Sequence, residues 1–249
     1  VLGNRAKISQ IEFIGDKKIK DRKLRNIIAS EEKKFWKFIS QTVYLNYERI
    51  ELDKRLLTNY YKDNGYYYIT SYKTGNQYPI YSRKKDSLEA NQEIIFDVNQ
   101  MAKGFDYYQL GGLNISENNK LVVFATDTIS RRQYTLRVKN LETGEIYKDI
   151  IQNTTGGSVW ANDNKTIFYT KKDPVTLRSE KIFRHLLGTS ASEDVEVFHE
   201  KDETFGTYVT KSKSNKFIII GSYNTVSSEA QFLDADNPTG NFNMLQPCL

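Results

Sequence analysis

Three segments of the chain share one pattern, a polar Asn-Lys turn followed directly by an apolar strand. They read SENNKLVVFATD at 116–127, ANDNKTIFYTKKD at 161–173 and SKSNKFIIIGSY at 212–223, and their lysines, Lys120, Lys165 and Lys216, lie 45 and 51 residues apart. Further strands lie between them, such as YTLRVKNLETGE at 134–145. Four short strands per unit of about 40–50 residues is typical of β-propeller blades. An all-β sandwich with accidental regular spacing stays open as the alternative.

The blade pattern begins after Gly65, with a hairpin signal at Thr74-Gly75-Asn76. About three and a half units fit between residue 66 and the end of the chain, whereas propellers contain about 4–8 blades and close into a ring. We therefore expect a mainly β fold, an incomplete β-propeller of about three to four blades, in a chain that ends inside its fold.

Residues 1–65 differ from the rest in pattern and in charge. A short apolar strand is predicted over residues 8–14, a helix from Asp21 and a second helix over residues 47–61. An aromatic cluster lies between the two helices: Phe35, Trp36, Phe38 and Ile39. The segment has 15 Lys and Arg against 9 Asp and Glu, a balance of +6, whereas the remainder balances at −1. The contrast predicts a small α+β module at 1–65 and a β domain at 66–249.

Five runs of the β domain carry a family resemblance: GNQYPIYSRKK, IIFDVNQMAKGFDYYQLGGLNIS, FATDTISRRQYTLRVKNLETGE, VWANDNKTIFYTKKDPVTLRSEKIFRHLLGT and EKDETFGTYVTKSKS. They resemble the propeller of the prolyl oligopeptidase family of serine peptidases, in its oligopeptidase B (protease II) branch. The resemblance implies a seven-bladed propeller that covers the active site of a separate α/β-hydrolase domain. It also implies that only short peptides enter and that they are cut after basic residues.

The first module resembles a different family. The runs AKISQIEFIGDKKIKDRKLRNII and YERIELDKRLLTNYYKDNGYY are similar to a POTRA module of BamA-type outer-membrane assembly proteins, although Asp16 stands where Asn is commoner. The resemblance implies a polypeptide-binding module in the periplasm. Because the two families do not ordinarily share a chain, we expect a chimeric or truncated chain with a join near residues 60–70.

A serine peptidase needs a nucleophile on a strained elbow, a histidine base and an orienting aspartate. Ser158 follows two glycines, but Val159 and Trp160 come next, where the family elbow continues with glycine, and a turn-forming serine is the preferred interpretation. His185 and His199 lie in predicted blade segments with no Asp at a recognisable spacing, which indicates surface or strand-packing histidines. We assign no catalytic residue, and this chain is predicted to be inactive alone.

Metal and cofactor sites are not predicted either. Five acidic residues lack the spacing of a calcium loop and indicate a solvated acidic face: Asp194, Glu196, Glu200, Asp202 and Glu203. The single cysteine, Cys248, excludes an internal disulfide, and two histidines leave little for a metal site. We therefore predict no cofactor-binding and no metal-binding residues.

Two further motifs have weaker interpretations. Arg131-Arg132 either reaches a catalytic domain or a carboxylate, or lies at a strand edge in water. Gly111-Gly112-Leu113 is too short for a phosphate loop and predicts a turn before a strand. A basic stretch of the first module fits one face of a helix better than a nucleic-acid surface: Lys17, Lys18, Lys20, Arg22, Lys23 and Arg25.

The sequence therefore predicts the propeller fragment of an oligopeptidase B-like serine peptidase. Its expected partners are a catalytic α/β-hydrolase domain outside this chain and short basic peptides as substrates, with no nucleic acid. The alternative is a POTRA-type polypeptide-binding module for outer-membrane protein assembly, and a membrane is an expected partner only if the POTRA-like part is functional. The propeller resemblance implies the cytoplasm, whereas the POTRA resemblance implies the periplasm or the outer membrane.

Overall fold

A computed structural model describes residues 8–12, 21–25, 28–32, 46–62 and 65–246. The chain divides into two compact units, one of Val1–Tyr67 with Lys85–Ala90 and one of Tyr68–Lys84 with Asn91–Leu249. No helix among the described residues is long and apolar enough to cross a membrane.

The smaller unit contains helices α1 (Asp21–Arg25) and α2 (Tyr47–Lys62). The prediction of a helix over residues 47–61 is confirmed, and Asp53 of α2 accepts hydrogen bonds from the backbone of Ala29 and Ser30 at 2.6 and 3.3 Å. The aromatic cluster at 35–39 lies outside the described residues.

The strand predicted over residues 8–14 is wrong for its described part, since residues 8–12 belong to no strand. The backbone of Ile11 is hydrogen-bonded to side chains there, instead of to a neighbouring strand. Glu32 accepts from the backbone N–H of Ile11 at 2.8 Å, and Arg25, which pairs with Glu32, donates to the Ile11 carbonyl at 2.6 Å.

The remainder of the described chain is built mainly of short antiparallel strands. In chain order the elements are β1 (Tyr66–Ser71), β2 (Ile80–Lys85), β3 (Gln92–Asp97), α3 (Val98–Met101), β4 (Gln109–Ile115), β5 (Leu121–Asp127), β6 (Tyr134–Asn140), β7 (Ile151–Trp160), β8 (Thr166–Lys172), β9 (Ser179–Leu186), β10 (Val195–His199), β11 (Gly206–Lys211), β12 (Phe217–Tyr223), β13 (Ser228–Asp234) and β14 (Asn243–Gln246). The predicted strands after the three Asn-Lys turns are confirmed as β5, β8 and β12, and the predicted hairpin as β1 and β2.

Strand β7 takes part in two hydrogen-bond ladders. Its first half pairs with β6 through Ile151 and Thr154, whereas Thr154 and the last residues, Ser158 to Trp160, pair with β8. The continuous sheet β4 to β10 is therefore two four-stranded units joined within β7. We call the units blade 1 (β1–β3), blade 2 (β4–β6 and the first half of β7), blade 3 (the rest of β7 and β8–β10) and blade 4 (β11–β14). The mainly β, blade-built fold agrees with the prediction.

The cores lie between successive blades. Strands β5 and β8 are buried on both faces, which explains why their segments are continuous apolar runs instead of alternating ones. In β5, Val123 faces blade 3, while Val122 and Phe124 pack with Ile95 and Phe96 of blade 1. In β8, Ile167 and Tyr169 face blade 2 and Phe168 faces blade 4.

The three Asn-Lys turns share one backbone conformation. Asn119, Asn164 and Asn215 have φ of 58°, 57° and 59°, in the left-handed region that asparagine tolerates better than most residues. The equivalence inferred from the sequence repeat thus extends to the backbone.

The prediction that Gly111-Gly112-Leu113 forms a turn before a strand is wrong. All three residues lie inside β4, where the ladder to β5 shifts register between Gly111 and Asn114. Gly112 has φ of 58° and faces the carbonyl oxygen of Gly156, so that glycine is required there by the close approach of β7.

Candidate functional site

Ser158 lies in the ladder of β7, where its partner is Tyr169. Its side chain is buried, and its hydroxyl has no hydrogen-bond partner among the described residues. Its carbonyl oxygen accepts from the Asn114 amide at 2.7 Å, which links the adjoining strands of blades 2 and 3. Ser158 therefore occupies a strand, so the turn-forming interpretation is wrong, and no base of the described residues reaches its hydroxyl.

His185 is the centre of a buried polar cluster. Its Nδ1 lies 2.6 Å from Oδ1 of Asp194 and its Nε2 lies 2.9 Å from Oδ1 of Asp149, and the ring is completely buried. The Tyr169 hydroxyl donates to Oδ2 of Asp194 at 2.8 Å. Spacing along the chain does not reveal these partners, because Asp149 and Asp194 lie 36 and 9 residues from His185.

Each member of this cluster is positioned by its own element. His185 belongs to β9 and Tyr169 to β8, whereas Asp194 ends a 3-10 turn, Ala191–Glu193, that begins with a capping box at Ser190. Asp149 lies just before β7, where its Oδ1 also accepts from the backbone N–H of Gly188 at 2.5 Å. Because Asp149 comes from blade 2 and the other three from blade 3, the cluster connects two blades.

The charges of the cluster follow from opposing effects. Burial alone lowers the pKa of His185, but hydrogen bonds and charge from Asp194 and Asp149 outweigh it and raise the pKa above its ordinary value. Burial, followed by the hydrogen bond to Asp194, raises the pKa of Tyr169 and keeps the phenol neutral. An imidazolium between two carboxylates is the arrangement that these shifts favour.

This arrangement does not suit catalysis. A general base needs one ring nitrogen directed at the nucleophile, as in a serine-peptidase triad. Both nitrogens of His185 already contact carboxylates, and no part of the ring reaches solvent. The cluster can hold strands together but has no atom available for a substrate.

The other predicted positions are dispersed. His199 is partly exposed at the end of β10, with Nδ1 3.9 Å from Glu196. Among the acidic residues, Asp194 belongs to the buried cluster, while Asp202 is exposed and accepts from Thr204. Within the described parts of the chain, no three His, Cys, Asp or Glu residues are placed to hold a metal ion.

Arg131 and Arg132 are exposed in the loop between β5 and β6. Buried Asp127 shapes this loop by accepting from the backbone N–H groups of Ile129 and Arg132 at 2.9 and 2.8 Å. Lys172 donates to the Arg132 carbonyl at 2.8 Å. Hydrogen bonds to backbone groups of the loop thus hold it in place, and the guanidinium groups of Arg131 and Arg132 are exposed.

The family model described as the prolyl oligopeptidase N-terminal beta-propeller domain matches residues 39–247. The chain belongs to this family. The propeller is 39% identical over 202 residues to dipeptidyl aminopeptidase BI of Pseudoxanthomonas mexicana, covering 75% of this chain and 28% of that protein. It is 31% identical over 180 residues to protease 2 of Moraxella lacunata, covering 70% of this chain and 26% of that protein.

Among solved structures, the propeller matches oligopeptidase B from Leishmania major with a TM-score of 0.69 and 30% identity, over 74% of this chain and 27% of that one. The chain thus spans about a quarter of the length of these relatives. It matches the propeller part of proteins that are named as peptidases.

A shorter match relates the chain to the outer membrane protein assembly factor BamA of Neorickettsia risticii, with 37% identity over 60 residues, 24% of this chain and 8% of that protein. The prolyl oligopeptidase match begins at residue 39 and so includes α2, which the sequence analysis placed in the POTRA-like module. The POTRA resemblance rests on this short partial match, and the domain boundary at residue 65 stays a prediction.

Proposed function

We propose that this propeller controls which peptides reach the catalytic domain of an oligopeptidase B-like serine peptidase. The catalytic α/β-hydrolase domain lies outside these 249 residues, short peptides cut after basic residues are the substrates, and no cofactor takes part. The observation that carries the proposal is the family match over residues 39–247, in relatives of which the match covers about a quarter. The buried state of His185 agrees with it, because neither ring nitrogen of this histidine is available to act as the base of a triad.

Selection by size needs blades that keep their relative positions, and three polar contacts between blades support this, two of them buried. Arg83 of blade 1 is buried and donates to the Asn119 carbonyl of blade 2 at 2.7 Å. Lys211 of blade 4 pairs with Glu117 of blade 2 at 2.6 Å. With the bridge from His185 to Asp149, these contacts link all four blades. We expect blades held in this way to admit short peptides and to exclude longer polypeptide chains.

An exchange experiment tests this function. The stretch of dipeptidyl aminopeptidase BI that matches this chain would be replaced by the corresponding residues of this chain, and cleavage of a short arginyl peptide would be compared with cleavage of a long unfolded protein. We expect the exchanged enzyme to keep a strong preference for the short peptide. The same exchanged enzyme carrying Arg83→Met serves as a control in which the contact between blades 1 and 2 is weakened. A folded exchanged enzyme that cleaves both substrates equally well would overturn the proposal.

A second candidate is a POTRA-type module that binds extended polypeptides by strand addition, which the match to BamA favours. Its test is binding of an unfolded outer-membrane protein segment to the full chain, and no binding would count against it. By family relationship we propose a cytoplasmic location for the peptidase function, and the periplasm or outer membrane only for this second one.

A further inference from the structure

A cleft of about 440 Å³ lies on the face of blade 2 that bears Phe124 and Arg137, away from the His185 cluster. Its apolar wall contains Met101, Phe105 and Tyr108, which precede β4, and Phe124 of β5. Ile129 and Ile146 lie at its sides, and Phe105, Ile129 and Ile146 keep 52%, 65% and 49% of their surface exposed. The volume is within the usual range for small-molecule pockets, about 300–1,000 Å³. The cleft therefore leaves apolar surface that a ligand could cover.

One cation faces this cleft, Arg137 of β6. The ladder places it opposite Phe124, with Lys139 opposite Val122 two residues further on the same face. Lys139 reaches across to blade 1, where its ammonium donates to the Ile95 carbonyl at 2.7 Å and lies 4.8 Å from the centre of the Phe96 ring. Arg137 makes no such contact with a described residue of blade 1 and lines the cleft instead.

The guanidinium of Arg137 makes no hydrogen bond and no ion pair with any described residue. It affects Tyr108, whose pKa is raised by burial and lowered to a smaller extent by the charge of Arg137. No Asp or Glu lines the cleft. A half-buried guanidinium without a carboxylate is unusual, since arginine in such places pairs with an acid in a two-bond fork.

The remaining lining is polar and neutral. Thr126 and Thr135 face each other across the β5–β6 ladder beside Arg137, and Thr128 and Gln133 lie nearby. Their hydroxyl and amide groups both donate and accept, as the amide groups of a peptide require. The cleft thus combines a cation for a carboxylate, an apolar wall and neutral polar groups.

We propose that this cleft binds the C-terminal end of a short peptide whose last side chain is apolar. The terminal carboxylate pairs with Arg137, the last side chain packs on Phe105 and Tyr108, and the preceding amide meets the threonine hydroxyls. This site needs only the cleft and not the proposed gating of a catalytic domain. The two proposals can therefore fail separately.

The test uses the 249-residue chain and measures binding by titration calorimetry of N-acetyl-Ala-Phe and of its C-terminal carboxamide. We expect the acid to bind at least tenfold more tightly than the amide. Arg137→Gln should bring the acid to the affinity of the amide, while the matched control Arg131→Gln, at an exposed arginine outside the lining, should change neither. Equal affinities of acid and amide, or an unchanged acid affinity in Arg137→Gln, would overturn the proposal.

A second pair of variants covers the case in which Arg137→Gln does not fold. Ile146 is half exposed, so Ile146→Glu should fold and weaken binding of the acid alone, whereas Ile146→Lys should strengthen it. Binding of the acid that is the same in both variants would refute a carboxylate in the cleft. A third ligand, 3-phenylpropanoate, separates a peptide from a small acid. If it binds as tightly as N-acetyl-Ala-Phe, the peptide assignment is wrong.

Discussion

Gly112 of β4 and Gly156 of β7 approach so closely that a Cβ atom on Gly112 would overlap the carbonyl oxygen of Gly156. Both residues also have positive φ, 58° and 85°. Two glycines from adjoining blades thus allow their backbones to touch where β7 passes from one ladder to the other.

Gly112→Ala should therefore destabilise the protein through two effects. The left-handed backbone costs alanine about 1–2 kcal/mol, and the overlap adds to this by forcing β4 and β7 apart. We expect the free energy of unfolding in urea to fall by about 3 kcal/mol or more. Gly75→Ala is the matched control, with φ of 84° and no atom within 4 Å of the added carbon, and should cost about 1 kcal/mol. Equal losses would mean that the backbone contact is unimportant.

His185→Gln should remove the cation from the buried cluster and leave two carboxylates facing each other. Removing one partner of a buried ion pair costs about 3–5 kcal/mol, because the remaining charge is uncompensated. We expect a loss of this size in urea unfolding at pH 6. His199→Gln, at the partly exposed histidine of β10, should stay within about 0.5 kcal/mol of the unaltered chain. A small effect at His185 would contradict a charged imidazolium at this position.

The same cluster predicts a pH dependence. Because the folded pKa of His185 is raised above its ordinary value of 6.5, its protonation stabilises the folded state fully below pH 6.5. That contribution is lost as the pH rises through the folded pKa. The stability difference between the unaltered chain and His185→Gln should therefore shrink between pH 6 and pH 9. A difference that grows over this range would contradict the sign.

Arg83→Met should weaken the joint between blades 1 and 2. The buried guanidinium pairs with Glu93 at 2.7 Å and donates to the Asn119 carbonyl, and each buried polar group left without a partner costs about 1–3 kcal/mol. We expect a lower melting temperature and faster hydrogen exchange of amides in the turn that contains Asn119. The same substitution at exposed Arg131 should leave both unchanged. If exchange in that turn stays slow, Arg83 is not what holds it.

The sequence is sufficient to predict those parts of the fold that depend on residues close together in the chain. The turns before β5, β8 and β12, the hairpin at Gly75 and helix α2 each depend on residues that are close in the chain. Strands buried on both faces made the repeat visible, because they are apolar at every position. These features were sufficient to predict a blade-built β fold.

Contacts over long chain distances could not be predicted in this way. Asp149 reaches His185 only when blades 2 and 3 pack together, so spacing along the chain gives no sign of the cluster. Gly112 looked like a turn residue, because a glycine that admits another backbone has the same sequence signal as one that bends the chain. The sequence carries no signal at Arg137 either. That its guanidinium lacks a carboxylate becomes apparent only in the folded sheet, where the neighbouring Lys139 does have a partner.

The shared strand β7 has a consequence for recombination. A repeat exchanged between two propellers at the Asn-Lys turns would carry half of each of two blades, and both ladders would have to match new partners. A cut at Gly156 and Gly157 instead interrupts only the pair of Thr154 with Lys171 and keeps the other pairs of each ladder in one piece. The modular unit of this protein is therefore out of phase with the repeat seen in its sequence, and an exchange between blades 2 and 3 should succeed at that glycine pair and not at the Asn-Lys turns.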